Sequence, residues 1–353
     1  MFKWGSRNYV SLATSSGVYI GYEDDKESYR KVIGLKGVEG VTVLSQYSLM
    51  ILLVEGQLYG YDLEEICPTS SRGPKRKFGR IRLCSSSEKV TYYKVGSTIG
   101  KSAIITYVSH KVLHKSTAQF FEPLPVNARL QAYQDVNRVK KPKREVWIRE
   151  VMPALSLQTT GIATVLFPFP SSKHVAVIDE GVLRVLDPTN SNRMLTLPRL
   201  HGHNYQVFKD RHQARQYQLN IANISDQISR GKLKPIELFT VKSGEYIMIF
   251  DTLGLYVNEK GVPLKSANVL RWNGTVNNAA IEGNLLLLFC ETFIEIRDKR
   301  TGKLSQIIRL HKDVRLASQN SLRGEDMVVV ERYARSHKPY GLFDHAFKLT
   351  CNV

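Results

Sequence analysis

Several stretches carry residue types at spacings that chemistry could use. Gly96-Ser97-Thr98-Ile99-Gly100-Lys101-Ser102 mimics a phosphate-binding loop. Such a loop needs four residues between its glycines, so that successive backbone N–H groups ring the phosphate, and it must open a helix. Here only three intervene, and the run that follows, Ala103–Val108, is β-branched and aromatic, which predicts a strand. His201-Gly202-His203 sets two imidazoles at alternate positions, with Asp210 and His212 close in sequence. A catalytic zinc wants a third ligand and an activating carboxylate, and this polar region reads instead as a surface insertion. The acidic pairs Asp24-Asp25 and Glu64-Glu65 fall at turns beside strands and read as solvated. There is no G-x-S-x-G elbow, no H-E-x-x-H, and no convergent set of acids for a hydrolase. The residues predict no catalytic group, no metal ligand and no cofactor site.

Two basic clusters remain as candidates for partner or membrane contact. One runs from Arg72 to Arg82 and contains Lys75, Arg76 and Lys77; the other holds Arg138, Lys140, Lys141, Lys143 and Arg144. Each contains Gly or Pro, which predicts exposed loops. Solvated loop charge accounts for them in the simplest way. Anionic membrane contact is the next reading, since each Lys or Arg near a charged leaflet contributes about 1 kcal/mol. Nuclear import and nucleic-acid binding follow, but nucleic acid wants aromatics interleaved with the cations, and Phe78 and Trp147 are too few. The chain as a whole has a formal net charge of +18 and a pI near 9.7. That excess favours acidic partners without choosing among them.

The elements that must position these loops are strands. The 353 residues are 42% hydrophobic and 23% charged, enough for a substantial core. No apolar run approaches the roughly 20 residues that span a bilayer, and the N-terminus turns polar at once, without a signal-peptide core. Cys67, Cys84, Cys290 and Cys351 are scattered, which fits reduced thiols in the cytoplasm; the triplets beginning at Asn223 and Asn273 read as accidental glycosylation matches there. Short alternating or β-branched runs are broken by Gly, Asn, Asp and Ser turns, and one helix is expected over His212–Ile228.

Repetition points to the architecture. An apolar strand, a small or acidic turn and a returning strand recur at Gly17, Gly56, Gly181, Gly254 and Phe293, with weaker copies near Ser109–Val112 and Arg332–Phe343. Gly17 and Gly56 stand about one blade apart, close to the ~40–45 residues of a four-stranded propeller unit. The expectation is an all-β, seven-bladed β-propeller over residues 1–353, with polar insertions near 133–149 and 201–232. N- and C-terminal strands would close the ring by setting Tyr9–Thr14 beside Phe347–Cys351. The alternative is two smaller all-β domains parted near Val136–Glu150.

Ordered stretches then resemble a known family. Gly231–Phe239, Ser243–Met248, Phe250–Asn258, Leu270–Gly274, Phe293–Arg297 and Thr301–Ile308 follow the citron homology (CNH) pattern, and so do Gly17–Tyr19, Arg30–Ile33, Val41–Leu44 and Leu58–Leu63. Glu237-Leu238-Phe239 and Phe293–Arg297 are most similar to the CNH domains at the C-terminus of fungal Rho-type guanine-nucleotide exchange factors. The resemblance implies a non-catalytic interaction module that binds a Rho-type GTPase or regulates linked domains of a longer protein. It implies a cytoplasmic setting with recruitment to the cell periphery or membrane. Anionic-membrane targeting and vesicle tethering are the alternatives. Gly17, Gly56, Gly254, Trp272 and Glu295 match family positions, where Trp272 is expected to pack between blades and Glu295 to satisfy backbone or Arg groups.

Overall fold

The computed structural model describes residues 2–14, 16–67, 80–97, 103–110, 116–129, 131, 143–157, 164–168, 175–179, 181–187, 190–199, 211–258, 260–264, 269–309, 314–320, 325–331 and 345–349. The first blade is β1 (Phe2–Trp4), β2 (Arg7–Thr14), β3 (Gly17–Tyr22) and β4 (Arg30–Ile33). The second is β5 (Val38–Leu44), β6 (Leu49–Val54), β7 (Gln57–Asp62) and β8 (Ile81–Arg82), with the short helix α1 (Leu63–Ile66) after β7. The third is β9 (Lys89–Ser97), β10 (Ala103–His110), β11 (Thr117–Pro123) and β12 (Ile148–Ser156). The fourth is β13 (Thr164–Pro168), β14 (Val175–Asp179), β15 (Val182–Asp187) and β16 (Asn190–Leu197). Helix α2 (Arg211–Ser229) precedes the fifth blade, β17 (Pro235–Lys242), β18 (Glu245–Phe250), β19 (Leu253–Asn258) and β20 (Leu270–Arg271). The sixth is β21 (Val276–Glu282), β22 (Leu285–Cys290), β23 (Phe293–Asp298) and β24 (Leu304–Arg309), and β25 (Val314–Asn320), β26 (Glu325–Glu331) and β27 (His345–Leu349) end the chain.

Each of the six is a four-stranded meander in sequence order. The expected count of seven blades is therefore corrected to six, because among the described residues the last three strands form a three-stranded sheet. The expected closure is overturned as well. One edge of β2 is taken by β1, through Phe2↔Tyr9 and Trp4↔Arg7, and the other by β3, through Tyr9↔Tyr22 and Thr14↔Gly17. β1 covers only Arg7–Tyr9 of that edge, but among the described residues β27 is ordered beside β26 and not beside β2. Gly5, at φ 61, makes the turn that folds the first residues back onto their own blade.

Contacts divide the chain into two compact units. Unit one holds Met1–Phe167, Ala317–Val328 and Lys348–Val353; unit two holds Pro168–Leu316 and Val329–Phe347. In unit one, blades one and two bury Tyr9, Ile20, Met50 and Leu52 against each other, and blades two and three bury Ile51, Leu58, Ile105 and Phe121. In unit two, blades five and six share Ile247, Ile249, Trp272, Leu286 and Leu288. The central run of β22, Leu286–Cys290, is buried on both faces, which is why it reads as a continuous apolar run and not as an alternation. Each fully buried Leu or Phe there contributes roughly 1.5–3 kcal/mol.

Turn chemistry matches the meanders. Glu55 and Gly56 both have positive φ, 50 and 73, the pattern of a two-residue hairpin turn between β6 and β7. Gly17 is more demanding: at φ 140, a Cβ would lie 2.0 Å from the Ile33 carbonyl oxygen, where β3 meets β4.

Candidate functional site

The basic residues expected to meet a partner are distributed unevenly over the described structure. Lys75, Arg76, Lys77, Arg138, Lys140 and Lys141 lie outside the described residues, as do His201, His203 and Asp210. Lys143 opens a 3-10 turn, Lys143–Val146, that leads into β12. Arg144 in that turn lays its guanidinium 4.8 Å from the Phe121 ring centroid, so part of its cationic surface is used within the fold. The end of the first cluster is a strand and not a loop. Ile81 is buried in β8 while Arg80 and Arg82 are exposed and approach one ring, Tyr59, at 4.6 and 5.9 Å. The alternation Arg80-Ile81-Arg82 carried that signal. Gly96 and Ser97 end β9, and Ala103 pairs with Ser97, so Ala103–His110 is a hairpin strand and no helix opens there. Among the described residues no group of His, Cys, Asp or Glu is placed to hold a metal ion. No helix among them is long and apolar enough to cross a membrane.

In unit one, a buried polar knot stands at the root of the long β11–β12 connection, the one that carries the second basic cluster. Pro123 pairs with Ile148, and residues 124–147 connect the two strands in sequence. Residues 126–129 are helical, and they deliver Arg129 into the interior. Its guanidinium donates to the Tyr47 carbonyl, and to the Ser48 carbonyl at 3.4 Å. Nη1 stands 3.5 Å from Asp62 Oδ2, and the plane lies 4.8 Å over Trp147, at the far foot of the same connection. Leu124 N–H donates to the Trp147 carbonyl at 2.9 Å. The two feet are thus fixed to each other and to blade two. Asp62 is held by Ser48 Oγ at 2.7 Å and by Glu64 N–H at 2.9 Å. Burial lowers the Arg129 pKa, and the charges of Asp62 and Glu64 oppose that shift. Sequence reading missed Arg129, because its partners are brought to it only by the pairing of blades.

In unit two, family positions Gly254, Trp272 and Glu295 come together. Trp272 Nε1 donates to the Phe250 carbonyl at 2.9 Å, and its ring lies so close to Gly254 that a Cβ there would sit 2.4 Å from Cζ2. Arg297 stacks 5.2 Å from the Trp272 ring centroid and forms a salt bridge with Glu295, which is fully buried. Glu295 also accepts from Asn273 N–H at 2.9 Å, and Arg297 donates to the carbonyls of Gly302 and Arg271 at 2.8 and 2.9 Å. The knot ties β23 to the end of β20 in the neighbouring blade. Gly56, in unit one, is a turn glycine where a Cβ would lie 2.7 Å from Lys89 Cγ, and its carbonyl accepts from Val90 N–H at 2.7 Å.

Comparison with known proteins places this arrangement. The sequence pattern of the CNH domain matches residues 6–319. Rho1 guanine nucleotide exchange factor 1 of Schizosaccharomyces pombe is 23% identical over 321 residues, covering 86% of this chain and 21% of that protein. RHO1 GDP-GTP exchange protein 2 of Saccharomyces cerevisiae is 22% identical over 320 residues, covering 85% of this chain and 20% of its own length. The chain therefore spans about a fifth of the curated relatives it matches. Among solved structures, the AfRom2 CNH domain superposes with a TM-score of 0.61 at 17% identity, covering 92% of this chain and 87% of that one. That likeness speaks to the fold, while the matched pattern speaks to ancestry. The chain belongs to the CNH domain family.

Proposed function

We propose that this CNH domain, taken over residues 1–353 as one functional module, is a non-catalytic interaction and regulatory domain in Rho-type GTPase signalling. It binds a Rho-type GTPase or restrains a linked exchange-factor segment of a longer protein, and it acts in the cytoplasm. One observation carries the reading: nearly the whole chain aligns with about a fifth of proteins whose names assign them to Rho1 nucleotide exchange. Supporting it, the net charge of +18 suits an acidic partner surface. The Arg129–Trp147 clamp fixes the two described feet of the segment whose sequence contains Arg138, Lys140, Lys141 and Lys143. In such an interface a few aromatic or Arg anchors would supply most of the affinity.

A second reading, anionic-membrane binding through the same basic segments, is favoured by the exposure of Arg80 and Arg82 beside Lys75–Lys77 in sequence. Reversing Lys75, Lys77, Lys140 and Lys141 to Glu separates the two. Retention by a GTPase that survives the reversal, together with lost binding to phosphatidylserine vesicles, assigns those residues to the membrane. Loss of GTPase retention with vesicle binding unchanged assigns them to the protein interface. Failure of the unaltered chain to retain any Rho-type member, in either nucleotide state, overturns the GTPase reading.

A further inference from the structure

Edge strands expose unpaired backbone N–H and C=O groups, and proteins blunt them by shortness, charge, proline or bulges. Four edges here follow that rule. β8 and β20 are two residues long, β4 opens with exposed Arg30 and Lys31, and β12 carries exposed Pro153 and two register shifts. β24 is blunted less: it carries one register shift and Arg309, yet it runs six residues, Leu304-Ser305-Gln306-Ile307-Ile308-Arg309, without Pro, and among the described residues it is paired only with β23.

Its outward chemistry is specific. The register shift opposite Ile296/Arg297 pairs Leu304 with Arg297 and Ile307 with Glu295. Those two partners are alternate residues of β23 and share a face, so Leu304 and Ile307 also fall on one face. Both are 41% exposed, among the few large apolar side chains left open in the described residues. The adjoining edge of blade five, β20, is too short to run alongside them. Cations flank the strand: Arg300, Lys303 and Arg309 are exposed, and from Lys299 to Arg309 the sequence contains four cations and no carboxylate.

From this we infer that the free edge of β24 accepts an extended acidic peptide segment of a partner as a fifth strand of the sixth blade. Backbone groups of Leu304–Arg309 would supply the ladder, Leu304 and Ile307 would seat alternate apolar side chains, and Lys303 and Arg309 would fix acidic ones at the two ends. A second copy of this chain is a poor occupant, because it brings the same cations to the same edge at a net charge of +18. This site uses none of the basic residues named in the preceding section and does not depend on which GTPase is bound.

The test uses the whole chain and a fluorescein-labelled ten-residue peptide alternating valine with glutamate. Two comparison peptides replace glutamate by lysine, or the two central valines by proline. The expected result is binding of the acidic peptide alone, weakened at least about tenfold by Ile307→Glu or Leu304→Glu. Amide hydrogen exchange across 304–309 should slow on binding. Both variants alter exposed positions and are accepted only if their melting matches the parent; the proline peptide needs no variant at all. The inference is overturned by no binding, by equal binding of the proline peptide, or by binding without protection of 304–309. Protection that grows with protein concentration, in the absence of peptide, would assign the edge to self-pairing and overturn it too.

Discussion

Two arginines, Arg129 buried in unit one and Arg297 half-buried in unit two, each stack on a tryptophan and face a carboxylate, yet they are held in opposite ways. Arg297 is a local device. Its carboxylate, Glu295, lies two residues back on the same strand, and every guanidinium nitrogen has a hydrogen-bond partner. Arg129 is a long-range device. It reaches carbonyls of Tyr47 and Ser48 and the Asp62 carboxylate from a distant connection, and its Nε and Nη1 make no hydrogen bond. A fully satisfied buried charge network fixes one geometry, whereas a partly satisfied one is less favourable than an apolar replacement of the same shape. The Glu295 knot is therefore a stabilising element of blades five and six. The Arg129 knot is better understood as a positional lock for the connection it closes.

That contrast can be broken most severely at Glu295. Glu295→Leu leaves Arg297 without its counter-charge and the Asn273 N–H without an acceptor, and should cost about 3–5 kcal/mol in urea unfolding. A loss below about 1 kcal/mol would remove the distinction between the two knots. Next in size, Asp62→Leu alone should cost about 3 kcal/mol, because Arg129 is then a buried cation that has lost its salt-bridge partner. Adding Arg129→Met should restore stability to within about 1 kcal/mol of the parent. The corresponding pair at Glu295 and Arg297 should remain at least about 2 kcal/mol short, since all three guanidinium nitrogens of Arg297 lose hydrogen bonds, whereas two of Arg129 have none to lose and the Ser48 carbonyl keeps the Leu63 N–H.

Gly254→Ala sharpens the comparison on one side only. Its Cβ collides with the Trp272 ring, so a cost of about 1–3 kcal/mol and a changed tryptophan emission are expected, while Trp147 and Arg129 are untouched. The smallest effect is in the pH profile. Burial pushes the Cys290 thiol up to about 11 and the Tyr256 hydroxyl up to about 12. A raised pKa means the folded state keeps a proton that the unfolded chain gives up. Stability should hold below the ordinary thiol value and fall as pH rises from there toward 11. Cys290→Ala should delay the onset of that fall in an alkaline titration followed by circular dichroism.

Much of the fold was legible because strand periodicity and turn residues are local. Gly17 and Glu55-Gly56 mark hairpins, and Leu285–Cys290 declares a buried central strand. The blade count was not legible. Phe2-Lys3-Trp4 is too short to signal a strand, yet it completes the first four-stranded sheet, and the last strands pair among themselves as β25-β26-β27. Trp272 and Glu295 could be singled out through family resemblance, and their contacts follow from neighbouring strands. Arg129 had no such signal, for Tyr47, Ser48 and Asp62 become its neighbours only when blade two and the β11–β12 connection meet. Likewise the exposed apolar pair of β24 depends on a register shift that no alternation pattern displays.

The functional account turns on one equilibrium, titration of purified Rho-type, Ras-type and Arf-type GTPases into this domain by isothermal calorimetry, each in GDP- and GTP-analogue-bound form. Saturable one-to-one heat with a Rho-type member, and none with the other classes, is the predicted outcome. No heat with any Rho-type member in either state, or equal heat across all three classes, would contradict it.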